Sequence, residues 1–351
     1  MELEERIKEL CGPYLGWKGA DNQIVVDKLG LGCSNNILVA TLLDANATVL
    51  DKVLVRIYGS QISSRLQEDI YINCHLGTLR RVPKIRGIFD GGRFEEFLPS
   101  KTINREEFST KYREMIKMIA EVHKIEMPLS REPWLKKQLT DQITRVRIDP
   151  ELWRREVEWF VSTLEVLERD MRVTFCHNDF NMNNLLIPTT SSSPSSSPCS
   201  SPSSSPSSSP NSSPTSPTPT LIDYEYSGYN HCLYDLANYC CEMQYDWSHD
   251  KPPYFLFKYQ WFPDDTKMLD MIRHYRTLVR DHGVHTSDQV YLTQLKFLTL
   301  GSELTWTLWA LSYEGFSLDM EPYLEVKRES YFRKKKEFLE DIEKLVGSYD
   351  N

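Results

Sequence analysis

The stretch from Phe175 to Asn184 reads FCHNDFNMNN, and a second acidic element, LIDYEYSGYN, begins at Leu221 and carries Asp223. An H-N-D-x4-N element followed by an Asp-led one is what phosphoryl transfer to an alcohol requires. One carboxylate faces the acceptor hydroxyl, while an amide oxygen and a second carboxylate hold a metal ion between the phosphates. Asp179 is thus the candidate catalytic base or orienting group, with Asn184 and Asp223 completing the catalytic set. Asn184 and Asp223, supported by Glu225, form the candidate metal-holding group. Taken singly, each acid reads as a solvated loop residue or a helix cap, so the weight lies in the two elements occurring in order.

Protein kinases write the same logic as H-R-D-x4-N and then D-F-G, whereas this chain has His177, Asn178, Asp179 and Asn184 and then Asp223, Tyr224 and Glu225. The departures point away from protein substrates and toward small molecules. HNDFNMNN followed by IDYEYSGYNHCLYDLANYCCE resembles the choline/ethanolamine kinase family, the choline kinase branch ahead of the other. VLVRIYG (Val53 to Gly59) and PKIRGIFDGGRFEEFLPS (Pro83 to Ser100) look like that family's nucleotide lobe, and TWTLWAL (Thr305 to Leu311) looks like its substrate wall. The resemblance implies an α+β, protein-kinase-like fold of two lobes: a small β-rich nucleotide-binding lobe over residues 1–100 and a larger, mostly α catalytic and substrate-binding lobe over 101–351. It also implies ATP and Mg2+ as cofactors, choline or ethanolamine as the small-molecule substrate, a homodimer, and the first step of phosphatidylcholine synthesis by the CDP-choline route.

The elements that must position these residues are readable in outline. Gln23 to Lys28, Asn36 to Leu43 and Val53 to Tyr58 are β-branched and aromatic runs broken by turn residues, as antiparallel strands are. Between the first two lies LGLGCSN, where Gly32, Ser34 and Asn35 could offer backbone groups to phosphate oxygens, although a plain hairpin turn reads equally well from the residues. Under the resemblance Arg56 takes the phosphate-gripping role for which a guanidinium is suited. Glu68 or Asp69, on a helix expected over Leu66 to Leu76, would orient it. Backbone groups of Glu96, Phe97 and Leu98 would meet the adenine edge.

From Asn104 onward the period becomes helical: Met115, Met118, Ile119 and Val122 recur at three and four residues, and Leu152, Val157, Phe160 and Leu164 roughly so. Trp153 and Trp159 read as packing residues. In the helix around Leu292 to Leu311, Leu304, Leu308 and Leu311 form one stripe and Trp306 with Trp309 lie roughly opposite, so the helix is apolar on two faces. Burial all round is the plain reading of that pattern. Under the resemblance the Trp face is part of a choline-binding wall, joined by Glu242, Trp247 and Tyr323 around the ammonium; aromatic faces recognise a quaternary ammonium by cation–π attraction.

Composition is compatible with these readings and excludes others. The 351 residues are 40% hydrophobic, enough for a sizeable core. Fifty acids against 41 basic residues leave a formal charge of -9, which attracts cations and disfavours nucleic acid and anionic membrane surfaces. Eight cysteines without CxxC pairing fit reduced thiols in the cytoplasm better than zinc or disulfides. No apolar run reaches the roughly 20 residues of a membrane span, and MELEERIKEL reads as an acidic helix rather than a signal peptide. The Ser/Pro-rich stretch over 189–220 buries little, and its recurrent prolines remove backbone donors, so it is expected to be a disordered insertion. With it removed, Leu185 to Pro188 and Leu221–Ile222 are two short apolar strands, which puts the insertion at a hairpin tip. Three further readings remain: an ethanolamine kinase, an aminoglycoside-type phosphotransferase, and a pseudokinase-like scaffold that has no physical need for the intact acid–amide–acid set.

Overall fold

The computed structural model describes residues 3–18, 22–31, 35–59, 65–189, 219–280, 286–312 and 320–349. The chain opens with α1 (Leu3–Leu15), β1 (Gln23–Leu31), β2 (Asn35–Leu43), β3 (Val49–Tyr58), α2 (Leu66–Thr78), β4 (Ile85–Phe89), β5 (Gly92–Glu96) and β6 (Ser100–Thr102). Helices α3 (Arg105–Thr110), α4 (Tyr112–Val122), α5 (Trp134–Ile143) and α6 (Pro150–Leu167) follow. Four short strands come next: β7 (Val173–Cys176), β8 (Leu185–Pro188), β9 (Thr220–Leu221) and β10 (Gly228–His231). The chain then runs through α7 (Tyr234–Glu242), β11 (Tyr245–Asp246), β12 (Leu256–Phe257), α8 (Asp265–Leu278), α9 (Asp288–Ser312) and α10 (Glu321–Tyr349).

Two compact units result. The first comprises Met1–Gly59, Leu76–Thr102 and Leu185–Ile222. Its main sheet is antiparallel in the order β1-β2-β3-β5-β4. Leu38, Ala40 and Leu42 alternate along β2 and bury one face with Val26, Val53, Val55 and Phe94, against Ile7 and Cys11 of α1. That alternation is what a half-buried strand requires. Gly92 starts β5 where no side chain fits, because a Cβ there would stand 2.5 Å from the Arg56 carbonyl oxygen. In a smaller sheet β8 lies between β6 and β9, with Leu185 opposite Leu221. This is the hairpin that the flanking residues predict. The stretch 190–218, expected to be disordered, lies outside the described residues.

The second unit comprises Ser60–His75, Ile103–Asn184 and Asp223–Asn351. Amphipathic helices supply most of it: α4 buries Met115, Ile116, Ile119, Ala120 and Val122, and α6 buries Trp153, Val157, Phe160, Leu164 and Leu167. Every residue of α9 from Leu292 to Leu308 is buried, so this helix is the hub, while Trp309 and Leu311 near its end are half-buried. Two of its buried hydroxyls bond within the helix, Thr305 to the Gly301 carbonyl and Thr307 to the Glu303 carbonyl, while Ser302 donates to Asn238 of α7. Antiparallel pairing of β7 with β10 sets Cys176 opposite Gly228. Because His177 follows β7 and Ser227 precedes β10, this short ladder brings the H-N-D loop beside the Asp223-led segment. No helix among the described residues is long and apolar enough to cross a membrane.

Candidate active site

The H-N-D loop is held from below by one buried carboxylate. Asp235, in the first turn of α7, accepts the backbone N–H of His177 and of Asn178, each at 2.8 Å. His123 Nε2 lies 3.0 Å from the same carboxylate, and its Nδ1 is 2.6 Å from the Tyr275 hydroxyl. Burial alone would raise the Asp235 pKa, but His123 and the loop amides outweigh it and hold the group below the usual carboxylate range. These bonds fix Asn178 in the left-handed region at φ 65, where its side chain donates to the Tyr226 carbonyl at 3.0 Å and accepts from Asn230 at 2.9 Å. His123, Cys176 and Asp235 lie close enough to suggest a metal cluster. The bonds just described already occupy the Asp235 and His123 atoms that an ion would need.

Asp179 is aimed by the two amides that follow it. Asn181 Nδ2 donates to Asp179 Oδ1, and Asn184 Nδ2 to Asp179 Oδ2, each at 2.9 Å. Burial pushes the Asp179 pKa well up, and the charges of Glu242, Asp223 and Glu225 push it further. Asp223 is itself in the left-handed region at φ 66, a conformation tolerated by Asp and found where surrounding structure imposes it. The set suits a hard cation. Asn184 commits its nitrogen to Asp179, so the atom it has to offer an ion is Oδ1, and the neighbouring acids supply further oxygens together with an excess of negative charge. The residues present therefore have the oxygen-rich, negatively charged character that a hard cation such as Mg2+ takes.

Near the end of α9 two groups of rings meet. Trp306 stands edge-on to Trp309 at 6.1 Å and to Tyr226 at 5.3 Å, and its indole N–H donates to Asn238 Oδ1 at 2.8 Å. Trp247 stacks on Tyr245 at 5.0 Å and lies 5.9 Å from Tyr323. Trp309 packs against the cluster of Tyr245, Phe255, Ala310 and Tyr323, which joins the two groups. Glu242 ends α7 among them, buried, accepting the Trp247 indole N–H at 3.0 Å with Lys327 at 3.8 Å. Burial raises its pKa, and Lys327 and the indole oppose the rise.

In the first unit, Arg56 on β3 is buried and paired with Glu95 of β5 at 3.1 Å, while Arg93 reaches the same carboxylate at 2.6 Å. Two guanidiniums thus share one acid, and burial of Glu95 is overcome by both. Glu68 pairs with Arg65 at 3.0 Å, and Asp69 accepts from Asn73 at 2.7 Å. The Glu96 amide is bonded to the Lys84 carbonyl at 2.8 Å, and the Leu98 carbonyl accepts from Ser100. Gly32 and Ser34 lie outside the described residues, and Asn35 begins β2.

Residues 26–338 match the choline/ethanolamine kinase family. The chain belongs to that family. It is 30% identical over 349 residues to choline kinase A2 of Caenorhabditis elegans, covering 88% of this chain and 80% of that one, and 26% identical over 379 residues to choline kinase alpha of Mus musculus, covering 93% and 79%. Among solved structures, the choline kinase of Cryptosporidium parvum superposes with a TM-score of 0.73 at 22% identity, covering 99% of both chains. The fold is α+β and protein-kinase-like, and the chain is a kinase of this family.

Several residues of the arrangements just described escape a reading of the sequence. Asp235 lies in plain view in YDLANY, but an acid in a first helical turn carries no distinguishing signal. Tyr226 stands three residues past Asp223 and could have been found from its place in the motif. Glu95, Glu303 and Lys327 are charged residues in ordinary helix or strand settings, and only burial marks them out.

Proposed function

We propose that this kinase transfers the γ-phosphoryl group of ATP to the hydroxyl of choline, giving phosphocholine. Asp179 is the base or orienting group: its carboxylate accepts the hydrogen bond of the acceptor hydroxyl and aligns the oxygen for in-line attack. Asn184, Asp223 and Glu225 hold Mg2+, which when bound neutralises charge on the phosphate oxygens. Arg56 grips phosphate oxygens, and Gly32, Ser34, Asn35, Phe97 and Leu98, with Glu96, line the nucleotide site; residues 1–100 form the nucleotide-binding part and 101–351 the catalytic and acceptor part. Trp247, Trp306, Trp309 and Tyr323 enclose the ammonium with Glu242. The enzyme is cytoplasmic and acts as a homodimer.

The observation that carries the choice of choline is the state of Glu242. One of its oxygens already accepts the Trp247 indole N–H and the other faces Lys327, so few lone pairs remain for a primary ammonium with three N–H groups to satisfy. A quaternary ammonium asks for ring faces and a diffuse negative charge, which this wall supplies. Relatives named choline kinase support the same choice, and ethanolamine is the secondary substrate through Glu242. Turnover of both amines by the purified enzyme and by Trp247→Ala tests this. Choline has the higher kcat/KM, and the substitution raises the choline KM by roughly 5- to 30-fold, the worth of a cation–π contact of about 1 to 2 kcal/mol, with a smaller effect on ethanolamine. Preference for ethanolamine, or equal losses for both, would overturn the choice of substrate.

A further inference from the structure

Two lysines of α10 are wholly buried beside the acceptor wall, and they are not alike. Lys334 is satisfied as a structural lysine should be, donating to Gln244 Oε1 at 2.6 Å, to Ser330 Oγ at 2.7 Å and to Glu303 Oε1. Lys327 makes no hydrogen bond among the described residues. Its ammonium lies 3.3 Å from Glu303 Oε2 and 3.8 Å from Glu242 Oε1, and over the rings of Tyr245 and Tyr323 at 4.7 and 5.5 Å. Burying a cation held by charge alone is costly. The two lysines face two buried acids: both approach Glu303, and among the described residues only Lys327 comes within 4 Å of Glu242. What Lys327 adds is a positive charge beside Glu242.

We infer that Lys327 is a positioning residue of the acceptor site, holding Glu242 as a carboxylate so that a cationic alcohol meets a permanent negative charge. The inference rests on the reading of function given above. The charged and titratable groups that face Glu242 are Lys327, Lys334 and Tyr323 of α10, Glu303 of α9, Tyr245 of β11, the Trp247 indole after it and Asp179 of the H-N-D loop. Burial favours the neutral acid, Glu303 adds to that, and Lys327 is the foremost group opposing both. Without Lys327, Glu242 takes up a proton and the wall loses its charge. The sign is diagnostic: if Glu242 kept its charge, removing a neighbouring cation would tighten choline binding rather than weaken it.

The test is choline binding by calorimetry to the wild-type enzyme and to Lys327→Met at about pH 7 and about pH 9. The variant binds at least about 10-fold more weakly at pH 7, and the gap narrows as the pH rises and Glu242 ionises, while KM for ATP is unchanged. Choline binding that is unchanged or tighter at pH 7, or a loss undiminished at pH 9, overturns the inference. If Lys327→Met does not fold, Glu242→Gln is compared with Glu242→Gln/Lys327→Met, in which both charges are removed together. Equal or tighter choline binding by the double variant upholds the coupling, and a further loss overturns it. A wild-type enzyme that does not phosphorylate choline would instead defeat the reading of function, before Lys327 enters.

Discussion

At the scale of single residues the site concentrates negative charge that the folded chain does not fully offset. Burial and the nearby charges of Glu242, Asp223 and Glu225 push the Asp179 pKa up. The linkage sign follows: a carboxyl whose folded pKa lies above its unfolded value costs stability once the pH exceeds the unfolded value, because the native state holds a proton the unfolded chain has released. Asp179→Asn removes that cost along with the base. We expect kcat to fall at least about 100-fold, the scale of one positioned acid–base or electrostatic group, while Tm stays level or rises. Near-normal turnover would remove Asp179 from the mechanism, and a collapse of Tm would show its charge to be structural instead.

At the scale of elements, α9 sets where Trp306, Trp309 and Glu303 stand, since it carries all three while being buried along most of its length. Gly301 is the point of closest approach. A Cβ there would stand 2.6 Å from Phe160 Cζ and 3.1 Å from Leu135 Cδ2. Phe160 cannot give way easily, because its ring is stacked on Phe297 at 4.4 Å and wholly buried. Gly301→Val therefore overpacks this contact and should cost roughly 1 to 3 kcal/mol, more than a helix gains by losing a glycine. Thermal or urea unfolding reads this directly; a variant as stable as the wild type would mean that α5, α6 and α9 repack without strain.

At the scale of the whole molecule, acid sensitivity has an identifiable contributor far from the chemistry. His231 ends β10 almost fully buried, with neither ring nitrogen hydrogen-bonded among the described residues, although Glu168 comes within 3.5 Å. Burial lowers its pKa from 6.5 to about 4. In that window the unfolded chain binds a proton that the native state refuses, so the stability attributable to this group is complete above about pH 6.5 and is lost as the pH falls toward 4. The loss amounts to about 2 to 3 kcal/mol. Urea midpoints at pH 7 and 4.5 should diverge less in His231→Gln than in the wild type. Equal divergence would assign the acid limb to other groups.

The family and the kinase activity were legible in the sequence alone, and so was the H-N-D-x4-N loop as a local unit, because Asp179, Asn181 and Asn184 bond within a few residues of one another and such contacts are written in local spacing. The sequence also determined that Leu185 to Pro188 and Leu221 belong to one hairpin, since two short apolar runs flank a stretch that cannot pack. The helical pattern of α9 was legible too, but not its meaning: two apolar faces are the same whether a helix lines a pocket or is buried all round, and only its neighbours decided. Asp235 bonding to His177 and Asn178, Glu95 shared by Arg56 and Arg93, and the contrast between Lys327 and Lys334 depend on residues distant in the chain. Their roles come from burial and charge environment, and these exist only once the chain has folded.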